Sequence, residues 1–287
     1  MSFSISGKTA IVTGAAHGVG LAIARRFVDE GARVVFADMD EDALHHEVGD
    51  LAGEDGPVRL FAGDLRQRLT ITNLLSLTVD AFDRIDILVN AARQVTVTDP
   101  LNPDDHSVEL LLEQNLMTAL RLSQAAAKRM IRQGESQAER RGEKGAAPGA
   151  ELNAELGAGR SLGAIINLSS IAARRTHPEL LAYSVSCAAL DQMTRSLAVA
   201  LAPRRIRVNA VAYGSIMSDA LKGLLRDSEG LRAEIVSHTP LARIASPSEV
   251  SDAVQYLASD ASGFVTGQVI TVDGGRTLID PAAVAAH

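Results

Sequence analysis

A chain of 287 residues, 46% hydrophobic and 22% charged, has the material for one large domain or two small ones around a sizeable core. A net charge of −7 with no dense basic run, and few aromatics with no tryptophan, argue against a nucleic-acid or acidic-membrane surface. No apolar run reaches the roughly 18 residues of a membrane span, and the N-terminal stretch lacks the pattern of a secretory signal. The single cysteine, Cys187, fits a reducing cytoplasm.

Strand-length apolar runs alternate with amphipathic stretches of helical length. In chain order the pattern predicts a strand at Thr9–Thr13, a helix at Val19–Glu30, and strands at Arg33–Ala37 and Val58–Ala62. A helix at Leu69–Phe82, a strand at Asp86–Asn90, a helix at His106–Arg132 and a strand at Ala164–Leu168 follow. The pattern closes with a helix at Tyr183–Leu201, a strand at Arg207–Val211, a helix at Pro247–Ser259 and a strand at Val269–Val272. The strands read as continuous apolar runs, as they do when helices cover both faces of a sheet. Strand–helix alternation of this kind implies right-handed crossovers and a doubly wound parallel α/β sheet of about seven strands.

One stretch breaks the rhythm. Residues 134–163 hold seven glycines and nine charges, with Leu152, Leu156 and Leu162 as the larger aliphatic side chains. That composition buries too little apolar area to offset its ordering entropy, so a flexible surface insertion is expected. The i,i+4 spacing of Leu152 and Leu156 leaves a short docking helix open.

Between the first strand and the first helix lies Thr13-Gly14-Ala15-Ala16-His17-Gly18-Val19-Gly20. Glycines here let the chain turn sharply and let backbone N–H groups approach a pyrophosphate at the helix N-terminus. Asp38 ends the next strand, 18 residues after Gly20. A carboxylate there can accept both ribose hydroxyls and would repel a 2′-phosphate, which favours NAD(H) over NADP(H). Asp38 could instead cap the helix that follows it.

With these motifs the chain resembles a short-chain dehydrogenase/reductase of the classical type, a single Rossmann-type domain. The resemblance rests on TGAAHGVG at 13–20, Asp64-Leu65, Asn90, Asn115, Ser169-Ser170, Tyr183, Arg207-Val208-Asn209-Ala210 and the Thr266-Gly267-Gln268 and Asp273-Gly274-Gly275 runs. It implies that Ser170 polarises a substrate carbonyl, Tyr183 is the acid/base on its oxygen, and Asn115 holds a water in a proton relay. It places Gly14, Gly18, Val19, Gly20, Asp38, Asp64, Leu65, Asn90, Ala91 and Gly214 around an NAD cofactor. It further implies a small-molecule substrate, a segment at 216–239 that covers it, no metal, and a homodimer or homotetramer.

The same resemblance exposes three departures. The Tyr-x-x-x-Lys pattern reads Tyr183-Ser184-Val185-Ser186-Cys187; Arg93 follows Asn90-Ala91-Ala92; and Tyr213-Gly214 stands where Pro-Gly is usual. All three positions surround the nicotinamide half of the pocket. The missing lysine would both grip the ribose and lower the tyrosine pKa. Bringing a phenol from about 10 to about 7 needs roughly 4 kcal/mol, and a helix N-terminus supplies about 0.3–2. Two readings stand: an active oxidoreductase in which Arg93 supplies the charge, or a regulatory protein that binds NAD(H) without efficient chemistry. A nucleophilic Cys187 is a weaker third, since no histidine sits near it in sequence. Arg174, Arg175 and His177 could meet an anionic substrate or form a solvated basic loop.

Overall fold

The computed structural model describes residues 2–53, 55–140, 161–228 and 230–280. Seven strands form one parallel sheet: β1 (Thr9–Thr13), β2 (Arg33–Asp38), β3 (Val58–Ala62), β4 (Ile87–Asn90), β5 (Gly163–Ser170), β6 (Ile206–Tyr213) and β7 (Val269–Val272), in the order β3-β2-β1-β4-β5-β6-β7. The order reverses between β1 and β4, and ligands of such sheets bind at the carboxyl edge beside that switch.

Alternate residues along each strand feed two cores. Ala10 and Val12 of β1, Val34 and Phe36 of β2, and Ile166 and Leu168 of β5 pack under α1 (Gly18–Asp29) and α9 (Pro247–Ala258). The intervening Ile11, Val35 and Ile165 point to the other face. There they meet α3 (Arg68–Phe82), α5 (Thr118–Arg140) and the far end of α6 (Leu181–Leu201). Both faces being covered explains why β1, β4, β5 and β6 are buried at every position. No helix among the described residues is long and apolar enough to cross a membrane.

Three helices lie outside the predicted set or within its loops. α2 (Glu41–Val48) is a short, acidic helix capped by Asp40, whose side chain accepts from the Ala43 N–H. α7 (Asp219–Asp227) and α8 (Leu231–Ser237) occupy the segment expected to cover the substrate. The predicted His106–Arg132 helix is α4 (Ser107–Leu111), a π-helical segment at Leu112–Met117, and α5. α5 runs on to Arg140, and β5 begins at Gly163, so both ends of the expected insertion belong to regular elements. A side chain on Gly134 would meet Leu162, which shows how closely the two ends approach. Leu152 and Leu156 lie outside the described residues.

Candidate active site

The glycine turn is built by contact of backbone with backbone. Gly14 has φ +66°, and a Cβ on it would lie 2.8 Å from the Ala92 backbone; a Cβ on Gly20 would lie 2.0 Å from the Gly14 oxygen. Gly18 also has a positive φ, with the space in front of it open as far as the Ser218 side chain. The loop thus closes onto the end of β4, where the Thr13 hydroxyl accepts from the N–H groups of both Ala91 and Ala92. No side chain caps α1, so its first N–H groups are left for an anion.

Asp38 does not cap α2; Asp40 does. The Asp38 carboxylate instead accepts from the backbone N–H groups of Ala16, Met39 and Asp40, which fixes it at the lip of the glycine turn. Asp64 sits with Leu65 just past β3. Its carboxylate is held in a fork by Arg66, at 2.8–3.0 Å, which lowers its pKa. The Asn90 side chain turns inward, donating to Ser123 Oγ at 3.0 Å and Asn167 Oδ1 at 2.8 Å. It braces the ends of β4 and β5 and does not face the glycine turn.

The reacting side chains arrive from separate elements. β5 and β6 run on past β4, and their register sets Ser170 opposite Tyr213. Helix α6 starts two residues earlier than predicted, which puts Tyr183 in its first turn, with Cys187 one turn further on. Ser170, Tyr183 and Tyr213 line one cavity of about 710 Å³ with Arg93, Val95, Gly214 and Ser218. Ser170 also ends its strand as a turn serine, accepting from the Ala172 N–H.

Arg93 is the centre of this arrangement. Its half-buried guanidinium lies 4.2 Å from the centroid of the Tyr213 ring and 5.7 Å from that of Tyr183. It donates to the Ser169 carbonyl at 3.3 Å. The loop that carries it is clamped by Asn115, whose Oδ1 accepts from Gln94 N and whose Nδ2 donates to Gln94 O and Ser186 Oγ. Both N–H donors of the Asn115 amide are therefore spent on protein partners. The same amide fixes the residue next to Arg93.

Burial pushes the Tyr183 phenol well above its ordinary value, with Arg93 the largest opposing influence and a Ser170 hydrogen bond acting in the same sense as Arg93. Burial also raises Tyr213 and Cys187, against which Arg93 again acts. Cys187 packs with Leu111, Ala172, Ala182 and Tyr183. A thiol in such surroundings stays protonated, which removes the basis for a nucleophilic cysteine.

Sequence spacing gave no warning of several lining residues. Arg276, His238 and Ile279 come to the cavity from beyond β6 and β7; their separation in sequence from Tyr183 carries no periodic signal. Of the basic trio after Ser170, Arg175 and His177 face the cavity, whereas Arg174 lines a second one with Arg243 and Leu278. In the covering segment Leu221 lines the cavity, while Leu224 is exposed to solvent. Among the described residues no three His, Cys, Asp or Glu side chains converge on a point where a metal could sit.

A parallel sheet with a glycine turn at its switch point, and a serine and a tyrosine beside it, defines a Rossmann-type oxidoreductase domain. The short chain dehydrogenase model matches residues 8–138, and that of enoyl-(acyl carrier protein) reductase matches 146–277. The chain is 31% identical over 274 residues to the 3-oxoacyl-[acyl-carrier-protein] reductase FabG of Thermotoga maritima, covering 96% of this chain and 99% of that one. It is 29% identical over 271 residues to the 7alpha-hydroxysteroid dehydrogenase of Escherichia coli K12, covering 94% of each. A solved 7 alpha-hydroxysteroid dehydrogenase, complexed with NADH and 7-oxo glycochenodeoxycholic acid, superposes with a TM-score of 0.80 at 28% identity over 95% of both chains. The protein belongs to the short-chain dehydrogenase/reductase family and is an oxidoreductase of hydroxyl and carbonyl groups.

Proposed function

We propose that the protein is an NADH-dependent carbonyl reductase in which Arg93 does the electrostatic work of the family's lysine, whose place Cys187 takes. The observation that carries this reading is the Arg93 guanidinium, half-buried beside the rings of Tyr183 and Tyr213. The glycine turn, the uncapped start of α1 and the fixed Asp38 carboxylate fit a dinucleotide with a free ribose 2′-hydroxyl. The NADH in the solved relative is consistent with that choice. The bound nicotinamide would supply the hydride to the carbonyl carbon.

This chain's residues handle the proton. Ser170 donates a hydrogen bond to the carbonyl oxygen and polarises it. Tyr183, kept neutral by burial, then gives its Oη proton to that oxygen as the C–H bond forms, leaving an alcohol and a phenolate. The phenolate is the new charge in a dry site, and Arg93 stabilises it there. Tyr213 holds the guanidinium by a cation–π contact worth about 2 kcal/mol when desolvated, and Asn115 holds its loop. The chain is also expected to self-associate as a homodimer or homotetramer through the outer side of α4 and α6, where Leu110, Leu181, Val185 and Val199 are exposed.

Carbonyl-dependent oxidation of NADH tests the reading. Arg93→Ala is expected to lower kcat about a hundredfold or more, by removing a preorganised charge, with NADH affinity nearly unchanged. Turnover unchanged in Arg93→Ala overturns the assignment of Arg93. The raised phenol also favours a second reading, a cofactor-binding protein without turnover. A wild-type protein that binds NADH tightly yet reduces no carbonyl from a broad ketone panel would establish that one.

A further inference from the structure

The protein as a whole is acidic, with 35 Asp and Glu against 28 Lys and Arg. The cavity at Ser170 and Tyr183 reverses that balance: Arg93, Arg175, His177, His238 and Arg276 line it, and among the described residues no carboxylate does. Arg93 is taken up by the two tyrosines. Arg175 and Arg276 both line the cavity and are tethered to segments that meet after β7. Arg175 Nη2 donates to the carbonyl of Thr277, the residue after Arg276, at 2.5 Å, and Arg276 Nη1 donates to Ser215 Oγ at 2.8 Å. Both tethers are to neutral oxygens, and each occupies one N–H of a five-donor fork. Two guanidiniums on a cavity wall that carries no carboxylate among the described residues offer charge-assisted donors to an anion.

The position of the pair indicates substrate in preference to cofactor phosphate. The glycine turn enters the cavity from the β1 side at Val19, whereas Arg175, His177 and Leu180 belong to the chain between β5 and α6. The same cavity also carries apolar lining, with Val95, Leu180, Leu221 and Ile279. Given the reductase reading above, on which this inference rests, we infer that the substrate is an oxo acid. Its carboxylate is held by Arg175 and Arg276, its hydrocarbon lies along the apolar wall, and its ketone reaches Ser170 and Tyr183; the product is the corresponding hydroxy acid.

The probes are straight-chain α-, β- and γ-oxo carboxylates, each paired with its methyl ester and assayed with NADH. At least one acid is expected to exceed its ester in kcat/KM by about tenfold or more, the scale of a charge-assisted hydrogen-bonded pair. Arg175→Gln and Arg276→Gln should each bring that ratio to within about twofold of unity, and Arg175→Lys should keep part of it. Esters reduced as well as acids would overturn the inference and leave the reductase reading standing. So would a loss of NADH affinity in both variants with the acid preference intact, since the cations would then serve the cofactor. Calorimetry on Tyr183→Phe with NADH separates the two readings. Acids that bind there more tightly than their esters, with no turnover by wild type, would uphold the anion site and overturn the reductase. Equal binding of acid and ester would overturn the anion site itself.

Discussion

The two halves of the pocket are built by different means. On the glycine side the shape comes from backbone: Gly14 against Ala92, Gly20 against Gly14, and Asp38 held by three N–H groups. On the reaction side it comes from side chains converging from β4, β5, α6 and β6, with Arg93 between two tyrosines. A backbone-built site tolerates almost no change at its few glycines. A site built by side chains can exchange one charged group for another that reaches the same point along a different route. On the proposed reading, a cation entering from the loop after β4 would take the place of one that would stand on α6.

Substitutions can sharpen that contrast. The largest effect should come from Gly20→Ala, because its Cβ would sit 2.0 Å from the Gly14 oxygen and the turn must open. A stability loss of about 2–3 kcal/mol is expected, read by chemical denaturation, together with weakened NADH binding in a fluorescence titration. If the variant is as stable as wild type and binds as well, the backbone account of that half is wrong. On the other side, Tyr213→Leu removes the ring under Arg93 and should cost about tenfold in kcat, equivalent to about 1.4 kcal/mol. NADH affinity should hold within about twofold; a parallel loss of both would show that the halves are not separable.

The smallest effect concerns Asp191, one turn beyond Cys187 on α6. It is 4% exposed, its Oδ1 lacks a hydrogen-bond partner, and burial raises its pKa. The folded state therefore holds this proton more tightly than the unfolded chain does. Stability falls as pH rises from the ordinary Asp value near 4 through the raised folded value. Asp191→Asn should be more stable by about 1 kcal/mol at neutral pH, with the advantage shrinking as pH falls through the raised folded value towards about 4. Thermal unfolding across that range checks the sign, and a less stable variant at neutral pH would show that the carboxylate has a favourable role.

The sequence was most legible where structure depends on the local run of residues. β1, β3 and β7 fall on their predicted bounds, and β1 shows the reason best: a strand covered on both faces is buried at every position and leaves no place for a charge. β5 and β6 each run two residues past the expected end, and those residues include Ser170 and Tyr213. Polar and aromatic residues at a strand end serve the site, so an apolar pattern stops short of them. The π segment around Asn115 left no trace in the hydrophobic period, and α2 buries too little, only Leu44 and Val48, to stand out. The position of Arg93 beside the nicotinamide half followed from resemblance. Its contact with Tyr213 depends on the pairing of Ser170 with Tyr213 across two strands, which no local pattern encodes.

The strand order bears on how the protein comes into being. The glycine turn and Asp38 lie on β1, α1 and β2, a stretch contiguous in the chain from Thr9 to Asp38, and the turn closes on Ala91 and Ala92 just past β4. The reaction side needs β4, β5, α6 and β6, and its cationic lining waits for Arg276 near the end of the described chain. Contacts so distant along the chain close late, after the entropy of long loops has been overcome. On the ribosome, the turn and Asp38 can therefore meet their nearest partners, up to Ala92, while Ser170, Tyr183 and Arg276 are still unsynthesised.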